Sequence, residues 1–274
     1  MNKDISIIVI LFKTPLEKIE SLKQYKNFNL IMYEQSVKFS SKKKIKDILG
    51  FDFKYFSSNK NIGLSKAVNF LIDKTKTRYC LMTEPDITIS EKSIINLKKG
   101  ISKNKNFLLS GPVLIKKKIK DNKKSFNFKL SKNLDVSCVL FEVKIIKKFK
   151  FYDEDFFFYW EDIDLIKRIN NSSYKMIIVQ NSYAIHDASH SSISNTSVNI
   201  LRNKNYKFGE LMFDYKYKKL RKIKIIRQIF QNLLFFFFNV FLFNKKKYLC
   251  NVGYIFGIFK FIIYLLTKKT NIKN

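Results

Sequence analysis

Three carboxylates, Glu161, Asp162 and Asp164, follow a wall of five aromatics, Phe156, Phe157, Phe158, Tyr159 and Trp160. Asp153, Glu154 and Asp155 precede that wall. The chain carries a formal net charge of +31, so a knot of acid beside apolar surface needs a reason. From Ile163 the pattern is helical, with Leu165, Ile166 and Ile169 apolar and Lys167, Arg168 and Asn170 polar. Glu161 and Asp162 therefore stand at or just before a helix start, where exposed amide donors and the helix dipole favour carboxylates. One reading is an N-cap with a solvated acidic turn. The other is a general base, because a carboxylate held against aromatic surface loses hydration and its pKa rises toward a useful value. Asp164 and Arg168 are four apart and are expected to pair on one helix face.

A second group of chemistry-bearing residues ends an apolar run. Tyr79-Cys80-Leu81-Met82 reads as a buried strand and leads straight into Thr83-Glu84-Pro85-Asp86. Carboxylates at the carboxyl end of a strand in an open α/β sheet lie where such sheets bind ligands. Hard oxygen ligands there suit Mg²⁺ or Mn²⁺ held with a diphosphate. The plainer reading is a turn in which Asp86 caps the segment beginning near Ser90. The only two histidines, His186 and His190, fall in a Ser-rich loop after an expected strand at 174–179. A lone histidine is commonly structural, but two in one such loop point toward a site. Asn59, Asn61 and Gly63 make a polar turn before a helix through Ala67, Val68, Leu71 and Ile72. Such a turn either only reverses the chain or offers backbone amides to phosphate.

The elements that must carry these residues read as an α/β domain. Residues 5–12 form a continuous apolar, β-branched run, expected as a central strand covered on both faces. Thr14-Pro15 opens a helix with Leu16, Ile19 and Leu22 as its buried stripe. Strands are expected at 29–33, ending in Glu34-Gln35-Ser36, at 51–56, at 107–113 with Gly111-Pro112 as a stop, and at 136–141. Residues 116–132 are lysine-rich and read as a loop, and 142–149 as a short helix. Strand and helix in this rhythm give a sheet with parallel neighbours.

Composition narrows the function classes. An apolar content of 46% is ample for a core. The lysines are spread along the chain with no arginine-rich patch, which argues against nucleic acid and fits a compositional bias or an anionic membrane surface. Three widely spaced cysteines show neither metal spacing nor a disulfide framework and fit a reducing compartment. From residue 199 aromatics mix with lysines. Residues 233–243 are apolar but short for a span, and 248–266 approach spanning length but contain Asn251 and Lys260. Helices lying in the membrane interface, a true span, and a helical cap on the core are the three readings of this tail. The first is the expectation, with aromatics inserted and lysines on lipid phosphates.

The order of these motifs resembles family 2 glycosyltransferases of the GT-A fold, and among them the bacterial rhamnosyltransferase-like branch. The resemblance covers about residues 4–195. It rests on the apolar first strand, Glu34-Gln35-Ser36, Asn61-Ile62-Gly63 with Asn69, Pro85-Asp86, residues 153–164, and His186. It implies an open, mixed, mostly parallel sheet flanked by helices over residues 1–198, followed by an α-helical membrane-associating region over 199–274. It implies an inverting transfer of a sugar from a nucleotide-diphosphate donor to a hydroxyl of a lipid-linked or growing cell-surface glycan, with Mg²⁺ or Mn²⁺. Asp86 and His186 would hold the metal, and Thr14, Glu34, Asn61, Gly63, Glu84 and Asp86 would meet the donor. Asp162 would be the base, with Glu161 and Asp164 orienting it. The expected location is the cytoplasmic face of a bacterial inner membrane, peripheral or monotopic. The sequence departs from the family at three places: Glu34 replaces the usual Asp, Gln35 the usual Asn, and Glu84 the first Asp of the metal turn. These departures also fit a catalytically inactive GT-A-like scaffold at the membrane surface.

Overall fold

The run Ile-Ser-Ile-Ile-Val-Ile-Leu forms β1 (Ile5–Leu11), buried at every position except the half-buried Ile10. A computed structural model describes residues 4–36, 41–58, 60–115, 126–187 and 195–271. Asn59, His190 and residues 116–125 of the lysine-rich stretch lie outside the described residues. After β1, α1 (Leu16–Glu20) tightens into a 3₁₀ turn over Ser21–Tyr25. Ile19 and Leu22 are buried as expected, but Leu16 is 50% exposed. β2 (Asn29–Glu34) follows, then α2 (Lys42–Leu49), which is capped by the Ser41 hydroxyl and ended by left-handed Gly50. Next come β3 (Lys54–Ser57), α3 (Leu64–Lys74), β4 (Tyr79–Thr83), β5 (Ile87–Ile89) and α4 (Glu91–Ile101). The chain continues through β6 (Phe107–Ile115), β7 (Phe128–Ser131), β8 (Cys138–Glu142), α5 (Val143–Phe149), α6 (Glu161–Asn170) and β9 (Lys175–His186). It ends in α7 (Thr196–Lys216), α8 (Lys222–Phe241) and α9 (Lys245–Asn271).

The strands form one mixed sheet in the order β3-β2-β1-β4-β8-β6-β9-β5, with β7 also on β9. β1 to β4 are mutually parallel, and β8 is antiparallel to both β4 and β6. Three sequence expectations change here. β6 does not stop at Gly111-Pro112 but runs to Ile115, with a register shift between Pro112 and Val113 against β9. Proline lacks the donor that a regular ladder needs, and the irregularity accommodates it. The expected loop 116–132 contains β7, paired with the first half of β9. β9 extends seven residues beyond Val179, so His186 ends a strand instead of standing in a loop.

The chain divides into two compact units. One holds residues 1–153 and 165–193, and the other holds 154–164 and 194–274. The acidic aromatic segment thus groups with the C-terminal helices, where a boundary at 198/199 had been expected. The first unit's core is the sheet with Ala67, Val68 and Leu71 of α3, Ile94 and Leu97 of α4, and Leu165 and Ile169 of α6. The second unit's core gathers Phe156 with Phe208, Leu211 and Met212 of α7 and Ile258 and Phe261 of α9. α7 and α9 approach closely at Gly253 and Gly257. A Cβ on Gly257 would sit 2.4 Å from the Lys204 carbonyl oxygen, and one on Gly253 would sit 2.9 Å from that of Ile200. Among the described residues, α9 is the one helix long and apolar enough to cross a membrane.

β5 is short and has β9 on one side. On its other side the Gln24 side chain imitates a strand: its amide donates to the Ile87 carbonyl at 3.0 Å and its oxygen accepts from the Ile89 amide at 2.8 Å. Replacing Gln24 with Ala leaves both backbone groups without that partner. Such losses cost about 1–3 kcal/mol when the groups are buried. Gln24→Ala is therefore expected to lower the urea midpoint with unchanged slope, and an unchanged midpoint would show that the edge is held by other means.

Candidate active site

The turn between β4 and β5 and the end of β9 meet through the antiparallel pairing of Ile87 with His186. Asp187 extends the join by donating its amide to the Asp86 carbonyl at 3.1 Å. His186 Nε2 then lies 3.8 Å from Asp86 Oδ2 and 4.0 Å from Glu84 Oε2. One ligand atom from each of Glu84, Asp86 and His186 falls within 4.8 Å of the others. The Asp86 side chain is 3% exposed, and its Oδ1 is buried without a hydrogen-bond partner among the described residues. Burial pushes the Asp86 carboxyl above the ordinary range, opposed by His186, its own backbone amide and Lys18. A buried carboxylate oxygen with an unused acceptor, beside an imidazole and a second carboxylate, is a donor set that could hold a divalent cation of hard or borderline character. The turn is held by the 3₁₀ segment, where Ser21 donates to the Pro85 carbonyl at 2.8 Å, and Lys18 of α1 pairs with Asp187 beside it.

The other expected donor residues sit at the same edge of the sheet. Leu11 is level with Glu34, so β1 and β2 finish together, and β4 ends just short of them with Thr83 level with Val9. Thr14 is fully buried, and its hydroxyl accepts from the Phe12 amide at 3.2 Å. Lys13, between them, is left-handed (φ 49°) and donates its amide to Ser36 Oγ at 2.6 Å. Glu34 is also fully buried, with Oε1 receiving both the amide and the hydroxyl of Ser36 at 2.6 Å. Gln35 accepts from the Ile62 amide at 2.9 Å, tying the Asn61-Ile62-Gly63 turn to the end of β2. Asn61 accepts from the Gly63 amide at 2.9 Å, and Gly63 opens α3 at φ 89°. A side chain there would be strained, which accounts for the glycine. Asn69 clasps the backbone of Tyr152 in both directions, donating to its carbonyl at 3.0 Å and accepting from its amide at 3.1 Å.

In the second unit the acidic segment is entered through a strained turn. Tyr159 (φ 71°) and Trp160 (φ 73°) are both left-handed. For bulky residues this costs about 1–3 kcal/mol each and needs a surround that enforces it. Part of that surround is Gly209 of α7, where a Cβ would lie 2.8 Å from the Tyr159 carbonyl oxygen and 2.9 Å from Trp160 Cδ1. The Trp160 ring packs on Phe213 and Tyr206, with centroids 5.4 and 5.8 Å away. α6 starts immediately afterwards, with the Asp164 amide bonded to the Trp160 carbonyl at 2.9 Å. Asp164 is fully buried and is bound by Lys216 at 2.7 Å and by the Tyr217 hydroxyl at 2.9 Å. Arg168 directs its guanidinium to the carbonyls of Lys150 and Phe151. Glu161 is buried at the first position of α6. Asp162 is half-buried and accepts from the Ile163 amide at 2.8 Å.

The mannosyltransferase PcManGT from Pyrobaculum calidifontis, in complex with GDP-Man and Mn²⁺, aligns over 77% of this chain and 64% of its own at TM-score 0.54 and 10% identity. GalNAc-T7 with UDP, GalNAc and Mn²⁺ aligns over 76% of this chain and 47% of its own at TM-score 0.52 and 13% identity. The fold is that of the GT-A glycosyltransferases. No protein-family model matches the chain, and no curated protein matches it in sequence. The chain thus spans about half to two thirds of the length of the GT-A structures it matches.

Several contacts in this GT-A fold escape a reading by sequence. Gln24, Ser36 and Asn69 act through long-range contacts to backbone, and nothing near them in sequence marks those partners. The strained turn is equally hidden, because left-handed residues are normally signalled by Gly or Asn and here are Tyr and Trp. Trp160 is the only tryptophan, so it reports on its own turn. Gly209→Ala is expected to red-shift Trp160 emission and increase its quenching by acrylamide while the far-ultraviolet circular dichroism is preserved. An unaltered emission spectrum would show that the turn does not depend on Gly209.

Proposed function

We propose that the chain is an inverting glycosyltransferase of the family 2 type, moving a sugar from a nucleotide-diphosphate donor to a hydroxyl of a lipid-linked or growing cell-surface glycan. The observation that carries this reading is the Glu84–Asp86–His186 cluster at the carboxyl edge of a GT-A sheet. Mg²⁺ or Mn²⁺ fits that donor set, held by Asp86 and His186 with Glu84 beside them, and when bound it would neutralise a diphosphate leaving group. Thr14 and Glu34 shape the turns that would line the nucleotide pocket. Asn61 and Gly63 set the wall beside ribose and diphosphate. Asp162 takes the proton of the acceptor hydroxyl as its oxygen attacks the anomeric carbon from the face opposite the leaving group. Asp164 is a positioning residue, because its bonds to Lys216 and Tyr217 anchor the first turn of α6. Glu161 orients the acceptor. The sugar by this reading is a hexose of the rhamnose kind. The basic, aromatic C-terminal helices hold the enzyme to an anionic membrane surface, at the cytoplasmic face of a bacterial inner membrane.

The test is transfer and donor hydrolysis against a panel of sugar nucleotides with Mn²⁺ present. Asp162→Asn keeps shape but cannot accept a proton, and should lower transfer by about two to four orders of magnitude while donor affinity stays near wild type. If Asp162→Asn transfers at the wild-type rate and Glu161→Gln does not, the base is Glu161. In the same experiment Asp86→Ala should abolish Mn²⁺ binding by calorimetry. Because burial raises the Asp86 pKa, protons compete with the metal above the ordinary Asp value of about 3.9. The Mn²⁺ affinity of the unaltered chain should therefore fall on acidification from neutral pH. Retention of Mn²⁺ by Asp86→Ala would remove the metal from this turn.

A further inference from the structure

α8 exposes a strongly apolar side. Its buried residues, among those described, are all amides: Gln228, Asn232 and Asn239. Its outward positions Ile223, Ile226, Phe230, Leu233, Leu234, Phe237 and Phe241 follow helical spacing and are 40–80% exposed. Leu242 and Phe243 continue the apolar surface past its end, with Phe243 92% exposed. A helix on a water-facing protein has the reverse arrangement. The inward side is mixed, with Ile225 and Ile229 packed on the second unit's core and Phe236 on Tyr248 beside the amides. Gln228 donates to Glu210 at 3.1 Å, Asn232 to the Gln228 carbonyl and Asn239 to the Phe235 carbonyl. Lys224 pairs with both Glu210 and Asp214 of α7. The apolar side is flanked by cations, with Lys218, Lys219, Arg221 and Arg227 at one end and Lys245, Lys246 and Lys247 at the other.

α9 passes the length and apolarity test for a span, but its packing opposes one. Gly253 and Gly257 seat it against the α7 backbone, and Phe261 packs on Phe208 and Tyr215 of α7. α7 carries Lys204, Lys207, Glu210 and Asp214 along that length. On α9 itself, Lys260 lies over the rings of Phe157 and Phe208, and Tyr264 donates to Asp155 at 2.9 Å. If α9 crossed a bilayer, these charged groups would enter hydrocarbon with it, where ionised side chains are strongly disfavoured.

The geometry points to a lipid bilayer as the occupant of the exposed α8 face. α8 lies in the plane of the interface, with its Phe and Leu side chains among the acyl chains and its flanking lysines on anionic headgroups, while α9 stays on the same side. This refines the membrane part of the proposed function and is tested without any sugar donor, so its failure and a failure of sugar transfer are read separately. The full-length protein, with Cys250 replaced by Ser and single cysteines placed in turn at Phe230, Phe237, Phe241, Asn244 and Thr267, is bound to phosphatidylethanolamine/phosphatidylglycerol vesicles. Fluorophores at 230, 237 and 241 should be quenched by lipids labelled near the headgroup more than by lipids labelled near the chain end. Cysteines at 244 and 267 should both react with an impermeant maleimide added outside. Protection of one of these two until the vesicles are opened would show that α9 spans. Failure to float with the vesicles would overturn the proposal outright, whether the protein is then monomeric or has a second copy covering the face. In that case Phe230→Glu with Phe237→Glu distinguishes the two by whether it dissociates a dimer.

Discussion

The arrangement depends most on one strand pairing. β5 is three residues long and would have little hold on the sheet alone, yet by pairing Ile87 with His186 at the far end of β9 it brings Asp86 beside the imidazole. β6 runs along both halves of β9 and β7 pairs with its first half, so the imidazole sits at the tip of a strand anchored along its length. Gln24 closes the outer edge of β5, and Ser21 holds Pro85. Each device acts on backbone rather than on the three ligand side chains. A buried carboxylate can be kept desolvated and poised only if the turn that carries it does not relax toward water.

The second unit repeats the theme with different means. The acidic segment is positioned by an unfavourable backbone conformation at Tyr159 and Trp160, compensated by ring packing and by the missing Cβ of Gly209. The first turn of α6 is then locked by a fully buried Asp164 carrying both a lysine and a tyrosine hydroxyl. The same α7 that accepts this turn gives its charged flank to α8, which is why α8 keeps amides inward and phenylalanines outward. One helix therefore serves both the proposed catalytic acids and the proposed membrane face.

Much of the fold is legible in the sequence because local pattern and global structure agree there. The β-branched run of β1 can only be a strand covered on both faces, and the Pro85-Asp86 and Asn61-Ile62-Gly63 turns announce themselves by residue type. The sequence reading falls short where tertiary contacts override local signals. Gly111-Pro112 reads as a stop, but β9 carries the strand past it with a register shift. A lysine-rich stretch hides β7, whose Phe128 packs edge-on against Phe107. The Arg168 guanidinium reaches two backbone carbonyls, and Asp164 takes partners more than fifty residues away, contacts that spacing does not announce. Of the candidate site, Glu84, Asp86 and His186 are visible as types. Their convergence is a property of strand register, which no local window contains.

The proposed metal turn requires that His186 and Asp86 hold one divalent ion. Electron spin-echo measurements on the Mn²⁺-loaded protein test it most directly, because they detect a nitrogen nucleus bonded to the metal. The described geometry predicts one imidazole nitrogen coupling that disappears in His186→Ala and persists in His190→Ala. Mn²⁺ bound with oxygen ligands alone, or a nitrogen coupling that survives His186→Ala, would contradict it.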